Sequence, residues 1–320
     1  MSFTSIRELV GLAETRGLRI CDLMIEVESE QSGLPRAEIL AHMHSQFDVM
    51  EAAVRKGTSE PVRSRTGLTG GDAFRVHQRA QEETGFLGSR PHRAMAYALA
   101  VSEVNAAMGR IVATPTAGSA GILPGVLMSV LDEGRYSRND VVSALFTAAA
   151  LGLVIANAAS ISGAAGGCQA EVGSATAMAA GALVELAGGT PIQVGNAVGL
   201  ALKNSLGLVC DPVAGLVELP CIVRNGLHAV TALAAADMAL AGVPSIIPPD
   251  EVISAMNSIG HALPDELRET GIGGLAGTPT GQSLKELIFA SNPNAPVVAG
   301  TTPCRTEPSV PGVTVGSSGA

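Results

Sequence analysis

Three cysteines in the middle of the chain have the residue type and placement that suit metal chemistry. Cys168 follows the glycine-rich run GAAGG, and Cys210 and Cys221 enclose the segment CDPVAGLVELPC. Cys168 and Cys221 each precede a predicted helix, and a helix N-terminus lowers the pKa of a thiol because its dipole and free N–H groups favour the thiolate. Thiolates are the form in which cysteine binds metals. These three side chains are therefore the first candidates for a functional site.

The spacing of the cysteines limits which metal centre they could form. Ten residues separate Cys210 from Cys221, which is too many for a Cys-x-x-Cys motif. A structural zinc would take four ligands at tighter spacing. Three thiolates suit a cubane 4Fe-4S cluster that keeps one iron without a protein ligand. Buried core thiols explain the pattern equally well, because unpaired cysteine is among the most buried residue types.

The two remaining cysteines are predicted to lie elsewhere. Cys21 falls in the apolar helical pattern LRICDLMIEVE and is predicted to be a core thiol, whereas Cys304 lies near the C-terminus. The chain has five cysteines at irregular spacing. Its first residues, MSFTSIRELVGLAE, are typical of an amphipathic helix and not of a signal peptide. We therefore expect reduced thiols and a cytoplasmic protein.

Carboxylates and histidines could provide acid–base groups. Glu171 follows Cys168 by three residues and Asp211 is adjacent to Cys210, so either could orient a ligand, bind a substrate ammonium group or cap a helix. The general base stays unassigned, because six histidines are chemically suitable. His228 is predicted to be a partly exposed helix residue. The six are His42, His44, His77, His92, His228 and His261.

Glycine-rich connectors are the elements that must position these side chains. Five of them separate predicted helices, at 65–74, 113–125, 161–173, 210–221 and 271–281, and so many in one domain suggest that they converge. TGLTGGD and TPTAGSAG offer backbone N–H groups and hydroxyls that suit a carboxylate, although self-capped turns would look the same. The predicted substrate-binding residues are Thr69, Gly70, Thr116, Gly118, Ser119, Asn157 and Ser160. Asn157 and Ser160 are expected to be hydrogen-bonded inside the core.

Helical periodicity dominates the rest of the sequence and predicts an all-α fold, a large helical catalytic domain. Particular residues mark several helix ends. Pro35 is predicted in the first turn of one helix and Gly57 at its end, and Asp250 is predicted to cap a later helix that Pro264 follows. The predicted helices cover 4–16, 20–31, 35–56, 72–84, 90–109, 122–133, 138–159, 169–187, 191–206, 221–241, 250–262 and 281–289. Residues 1–290 are predicted to form this domain and 291–320, rich in Pro, Gly, Ser and Thr, a flexible tail.

Charge and composition argue against two classes of protein. The net charge is −9 and aromatic residues make up 2%, so neither a basic stripe nor a base-stacking platform for nucleic acid is expected. Residues 141–170 carry no charge, and this uncharged stretch is long enough to span a membrane. Their alanines, glycines and serines, and the lack of a flanking Lys/Arg cluster, favour a buried core helix.

Four long segments resemble one known family. ATPTAGSAGILPG, NAASISGAAGGCQAEVGSA, LKNSLGLVCDPVAGLVELPCIVRN and RETGIGGLAGTPTG are similar, in order, to the α subunit of iron–sulfur-dependent L-serine dehydratase, and the similarity extends from the first helix to about residue 290. The resemblance implies an L-serine ammonia-lyase in which Cys168, Cys210 and Cys221 hold a 4Fe-4S cluster. It implies L-serine as substrate and a separate β subunit that this chain lacks. No membrane or nucleic-acid partner is expected.

The chemistry implied by that resemblance is removal of water from serine. The open iron would act as a Lewis acid on the hydroxyl while a base takes the Cα proton. The aminoacrylate product then hydrolyses to pyruvate and ammonia. Alternatives remain: an L-cysteine desulfidase using the same cluster, a helical membrane protein, and a binding module with structural zinc. Cys304 is a further candidate, as a ligand that substrate would displace.

Overall fold

The computed structural model describes residues 3–82 and 85–290 of the chain. Within those residues the chain forms thirteen α-helices and no strand, which confirms the all-α prediction. Residues 291–320, with Cys304, lie outside the described part, so the predicted tail and its cysteine stay predictions. The helices are α1 Ile6–Arg16, α2 Ile20–Ser32, α3 Arg36–Ser59, α4 Asp72–Gln81, α5 Ser89–Ala106, α6 Ile122–Leu131, α7 Arg138–Ala158, α8 Gly163–Gly166, α9 Ser174–Leu186, α10 Pro191–Lys203, α11 Cys221–Leu240, α12 Pro249–Ala262 and α13 Pro279–Ala290.

Helices α5, α6, α7, α9, α10 and α11 form a central bundle. α9 packs against α7, α10 and α11, and α5 packs against α6 and α11. Small residues allow this close packing: a Cβ on Gly181 of α9 would lie 2.3 Å from Leu151 Cδ1 of α7, and one on Gly125 of α6 would lie 2.7 Å from the Ala98 nitrogen of α5. The core therefore depends on glycine and alanine at helix contacts as well as on large aliphatic side chains.

α7 contains the uncharged stretch noted in the sequence. It is the one helix in the described ranges that is long and apolar enough to cross a membrane, but 67% of its most apolar window is buried inside the protein. It packs against α2 and α9, and its Thr147 hydroxyl hydrogen bonds with the buried carboxylate of Glu185. A core helix explains its composition, and the membrane alternative is not favoured.

Two predicted capping roles are wrong. Gly57 does not end α3, which continues to Ser59; it is buried, and a Cβ there would lie 2.6 Å from Ala100 Cβ of α5. Asp250 does not cap its own helix, because it lies in the first turn of α12. Its carboxylate instead accepts the N–H groups of Ile6 at 2.7 Å and Arg7 at 3.0 Å, and so caps α1. Tertiary contact, which local sequence does not reveal, determines both roles.

The helix predicted at 169–187 has an irregular start. Residues Gln169–Gly173 form a π-helical turn, and the regular helix α9 begins at Ser174. Such turns are rare and occur frequently at functional sites. This one begins directly after Cys168.

Candidate active site

Five irregular segments meet at one end of the bundle and are called the loop layer below. It comprises residues 64–71, 113–121, 160–173, 207–221 and 266–277. The predicted cysteines lie in or at the edge of this layer, where Cys168 is 2% exposed, Cys210 2% and Cys221 8%. Burial is the main cause that raises the pKa of Cys210, and negative charge on Cys168 and Cys221 raises it further, so the three thiols lie close enough to interact. The structure therefore brings the three predicted ligands into one buried group.

Gln169 fixes the backbone around Cys168. Its N–H donates to the carbonyl of Leu208 at 2.9 Å, and its side-chain amide donates to Gly166 O at 3.0 Å and Met256 O at 2.9 Å. Its side-chain oxygen accepts the N–H of Gly207 at 2.9 Å. All polar groups of this fully buried side chain are thus used, and they hold the segment around Cys168 against the segment before Cys210 and against α12.

Cys210 is held by the segment that follows α12. Its N–H donates to Leu267 O at 2.9 Å, and its carbonyl accepts the N–H of Glu269 at 2.7 Å. Glu269 has a φ of 62°, which is uncommon for a residue with a side chain. That conformation lets Glu269 turn its carboxylate toward Cys210, with which it forms one group of candidate ligand atoms.

Cys221 is the first residue of α11, and Asn225 connects it to another loop. The Asn225 side-chain N–H₂ donates to Cys221 O at 2.8 Å and to Gly118 O at 2.7 Å. Its side-chain oxygen accepts the N–H of Gly121 at 3.0 Å. Since Asn225 is buried, this one amide fixes the 113–121 segment on the helix that carries Cys221.

A pocket of carboxylates adjoins Cys210. The oxygens of Glu171 and Glu269 and the Cys210 Sγ all lie within 4.8 Å of one another. Burial raises the pKa of Glu171, although hydrogen bonds from the Thr116 hydroxyl and the Gly163 N–H oppose this. A Cβ on Gly163 would lie 2.7 Å from both Cys210 Sγ and Glu171 Oε2, and one on Gly118 would lie 3.2 Å from the same carboxylate. Glycine is required at Gly163 by this close approach.

The predicted lowering of the thiol pKa values is wrong for the metal-free chain. Burial raises the pKa of Cys168 to about 11 and that of Cys221 to about 12. Removal from water and the nearby negative groups outweigh the helix dipole, and Cys168 precedes a π-helical turn, not a regular helix. A bound metal would reverse this preference, because coordination deprotonates a thiol.

The predicted substrate residues of the first glycine loop are already engaged. The hydroxyl of Thr69 donates to Glu218 Oε1 at 2.5 Å, and its N–H donates to the same oxygen at 3.1 Å. The Thr66 hydroxyl donates to Glu218 Oε2 at 2.7 Å. Gly70 has a φ of 137°, and a Cβ there would lie 2.3 Å from Val62 O. Thr69 thus holds this loop on the Cys210–Cys221 segment through Glu218, whereas Gly70 packs against the backbone of Val62.

The remaining predicted substrate residues differ in position. Thr116 and Gly118 lie beside Glu171 in the carboxylate pocket, and the fully buried Ser119 donates to Thr114 O at 3.2 Å. Ser160 accepts the N–H of Ser162 at 3.2 Å. Asn157 is exposed on the last turn of α7, so the expectation that it is buried in the core is wrong.

The histidines lie outside the group of thiols and carboxylates just described. His228 is half-buried, as predicted, and bonds to Arg224 O at 2.9 Å, while His261 bonds to Asn257 O at 2.8 Å. His77 stacks on Tyr97 and its pKa is lowered by burial. His42 is exposed. None of these contacts suggests a general base.

Sequence reasoning missed most of the residues that hold the loop layer together. Five of them were not singled out: Gln169, Glu218, Arg224, Asn225 and Glu269. By contrast, the prediction for Cys21 is confirmed, because this thiol lies in the core and is 1% exposed. A signal was present for Arg224 and Asn225, which lie three and four residues after Cys221 on one helix face. Polar side chains so close to a candidate ligand, in a mostly apolar helix, indicate that the helix contacts another segment near that ligand.

Comparison with known proteins gives consistent matches over most of the chain. The family described as "Serine dehydratase alpha chain" matches residues 15–276. The "Probable L-serine dehydratase, alpha chain" of Bacillus subtilis is 53% identical over 287 residues, covering 90% of this chain and 95% of the relative. The "L-serine dehydratase, alpha chain" of Peptoniphilus asaccharolyticus is 43% identical over 279 residues, which cover 87% of this chain and 96% of the relative.

Longer relatives are matched over part of their length. The "L-serine dehydratase" of Streptomyces coelicolor is 43% identical over 278 residues, which cover 84% of this chain but 59% of the relative. The "L-serine dehydratase 2" of Escherichia coli is 38% identical over 86% of this chain and 61% of the relative. The match spans the five segments of the loop layer except its last residue. From these similarities and the helical fold, the chain belongs to the serine dehydratase alpha-chain family.

Proposed function

We propose that this protein is the alpha chain of an L-serine dehydratase, an ammonia-lyase that converts L-serine to pyruvate and ammonia. The observation that carries the proposal is the burial of Cys168, Cys210 and Cys221 in one loop layer, next to a carboxylate pocket. These residues all fall within the region matched by the family. Family membership and this site point to the same chemistry.

The donor set fits a 4Fe-4S cluster. Cys168, Cys210 and Cys221 are unpaired, buried thiols on three separate segments, and they would hold the cluster. Thiolates are the usual ligands of iron–sulfur clusters, whereas structural zinc takes four ligands. The lack of a Cβ at Gly163 keeps the space beside Cys210 Sγ open. When bound by three thiolates, the cluster supplies a Lewis acid for the substrate hydroxyl.

The neighbouring polar groups suit the two charged ends of an amino acid. Glu171 and Glu269 would bind the ammonium group, since two carboxylates within 4.8 Å repel each other unless a cation or proton lies nearby. The 113–121 segment, with Thr116, Gly118 and Ser119, would face the substrate carboxylate. Ser160 belongs to the same layer, whereas Thr69 and Gly70 would act by placing the first glycine loop. Asn157 would act only if a partner covers it.

A separate β subunit is supported by how the relatives differ in length. The relatives named alpha chain are covered over 95% and 96% of their length, whereas the longer dehydratases are covered over 59% and 61%. We infer that a region of the longer proteins corresponds to a small partner chain, and that the working enzyme is a hetero-oligomer. That partner would also provide the general base. Unpaired thiols suit a reducing compartment, consistent with a cytoplasmic enzyme.

The proposal is tested by purifying the chain without oxygen, with and without its partner subunit. We expect iron and sulfide in the protein and pyruvate release from L-serine when both chains are present. Cys168→Ala, Cys210→Ala and Cys221→Ala should each lose iron and activity, whereas Cys21→Ala, a buried thiol outside the loop layer, should retain both. A protein that binds zinc and no iron would contradict the cluster, and sulfide release from L-cysteine without pyruvate from L-serine would contradict the substrate.

A further inference from the structure

The side chain of Arg224 connects the surroundings of two candidate ligands, Cys210 and Cys221. Arg224 lies on the first turn of α11, three residues after Cys221. Its Nη1 donates to the carbonyl of Val209 at 2.9 Å, and its Nη2 donates to Asp211 Oδ1 at 2.9 Å. Arg224 is therefore bonded to the residues that precede and follow Cys210. Through these two bonds, the helix that begins at Cys221 is joined to the segment that carries Cys210.

The arrangement requires the geometry of arginine. The guanidinium is planar, carries five N–H donors in a fixed fork, and stays charged. One such group can therefore donate to a carbonyl and a carboxylate at once, in a fixed relative orientation. A lysine ammonium, on a flexible stem, keeps the charge but not this fixed spacing. The Arg224 side chain is 15% exposed, so little solvent competes for these bonds.

Asp211 extends the contacts of Arg224 to the last segment of the loop layer. Asp211 is 3% exposed, and its Oδ2 accepts the N–H of Leu275 at 2.8 Å. A Cβ on Gly274 would lie 2.5 Å from that oxygen, so the backbone there is held against the carboxylate. A buried ion pair of this kind can be purely structural. The bond to the Val209 carbonyl, on the other side of Cys210, is what distinguishes Arg224 from a counter-charge for Asp211.

We propose that Arg224 is a positioning residue for the iron–sulfur centre, which holds the segment of Cys210 against the helix that begins at Cys221 and so sets the spacing of these two sulfurs. The inference rests on the proposed function, because it requires a cluster on these thiols. A positive charge beside cluster thiolates stabilises negative charge, so it favours the reduced cluster and helps to retain it. Dehydration of serine changes no oxidation state, and the reduction potential is therefore a physical readout separate from activity.

The test uses the full chain with its cluster assembled without oxygen. The variants are Arg224→Met, Arg224→Lys and the double variant Asp211→Asn/Arg224→Met, which removes the unpaired buried charge. Arg90→Met is the matched control, because Arg90 binds Glu133 Oε1 at 2.8 Å and Oε2 at 2.5 Å, and neither residue belongs to the loop layer. Two quantities are measured: the rate of iron loss to a chelator and the midpoint potential of the cluster.

We expect Arg224→Met to lose iron about 10- to 100-fold faster than the native chain. Its potential should fall, with each tenfold change in the reduction equilibrium equal to about 59 mV for one electron. Arg224→Lys should lie between the two proteins. The double variant should regain thermal stability but should still show the faster iron loss and the lower midpoint potential. Arg90→Met should match the native chain in both quantities.

Two results would overturn the inference while leaving the proposed function intact. One is an Arg224→Met variant with native iron retention and potential. The other is a double variant that restores both, since Arg224 would then act only as the counter-charge of Asp211. If Arg224→Met does not fold, as judged by helical circular dichroism, the Lys and double variants decide. A native chain that takes up no iron–sulfur cluster would overturn the proposed function and, with it, this inference.

Discussion

The helical bundle and the loop layer are held together by different interactions. In α7 and α9 the buried side chains are mostly aliphatic or small, and their contacts depend on volume. In the loop layer the buried side chains that connect segments are polar, and each satisfies several donors or acceptors. These are Gln169, Asp211, Glu218 and, from the adjoining helix, Asn225. Apolar packing tolerates changes of shape better than a polar network tolerates the loss of one member.

This difference indicates how such a site can be precise without regular structure. A loop of glycines has high conformational entropy when unfolded, so its folded geometry needs specific bonds. Each long segment of the loop layer is bonded to another through a side chain that reaches across the layer, such as Glu218 to Thr69. The predictions below test this contrast in order of decreasing effect on dehydratase activity.

The largest effect is expected for Gly163→Ala. The added Cβ would lie 2.7 Å from both Cys210 Sγ and Glu171 Oε2, so the ligand loop must move. Since a displacement of about 1 Å at a reacting centre costs about 100-fold in rate, we expect a comparable loss of activity, with lower iron content and native helical content. The matched control is Gly11→Ala on α1, where a Cβ meets nothing within 4 Å. Equal activity in the two variants would contradict a tightly packed ligand loop.

A smaller effect is expected for Glu218→Gln. The carboxylate accepts three hydrogen bonds from Thr66 and Thr69, two at Oε1 and one at Oε2. The amide nitrogen that replaces one oxygen in glutamine cannot accept the bonds made to that oxygen. Leaving buried donors unpaired costs about 1–3 kcal/mol, so activity and thermal stability should both fall. Exposed Glu60→Gln serves as the control for loss of one charge. Native values for Glu218→Gln would show that the first glycine loop is held by other contacts.

Leu151→Ala should separate stability from activity. Leu151 is fully buried in α7 and contacts Gly181 of α9. Its truncation should lower the free energy of unfolding by about 2–5 kcal/mol, measured by chemical denaturation of the cluster-free chain. Iron content and activity per folded chain should remain native, because the bundle sets stability and the loop layer sets the site. A loss of activity at full folding would remove the distinction between the two regions.

The smallest effect is a change in pH dependence at Glu103. One oxygen of this fully buried carboxyl accepts the N–H groups of Asp72 at 2.7 Å and Ala73 at 3.3 Å, and the other oxygen has no partner. Burial raises its pKa above the ordinary value of 4.5. The protonated form thus favours folding, and this contribution is lost as the pH rises from 4.5 through the folded pKa.

Glu103→Gln removes that titration while keeping the shape of the side chain. We expect the melting temperature of the variant, relative to the native chain, to increase as the pH rises from weakly acidic to neutral. Activity at neutral pH should be almost unchanged, since Glu103 belongs to α5. A constant difference between the two melting temperatures across this pH range would contradict a raised pKa.

Local sequence was sufficient for most helices and insufficient for their irregular ends. Twelve helices were predicted, and each overlaps an observed one, because apolar periodicity and turn residues act within a few residues of one another. The four-residue helix α8 and the π-helical turn after Cys168 were missed. The π-helical turn begins at Gln169, whose side-chain amide bonds to the distant Met256 O. α8 is a single turn, too short to show an apolar period.

The candidate ligands were identifiable because cysteines are few and each lay at the edge of a glycine loop. Their surroundings were not, since the hydroxyl and N–H of Thr69, which look available in the sequence, are bound to Glu218. Asn157 looked buried because its neighbours are apolar, yet it lies on the exposed face of the last turn of α7. In each case the decisive partner is far away in the chain.

The order of residues alone therefore established a helical protein, the positions of its glycine-rich connectors and the thiols that could bind a metal. These features follow from periodicity, turn chemistry and residue type, all of which are local. The assignment of Glu269 and Arg224 to the surroundings of the thiols required the folded chain, as did the position of Glu171 beside Cys210. Which buried charge faces which sulfur depends on contacts such as that between Arg224 and Asp211, whose loop and helix meet only when the bundle brings the two together.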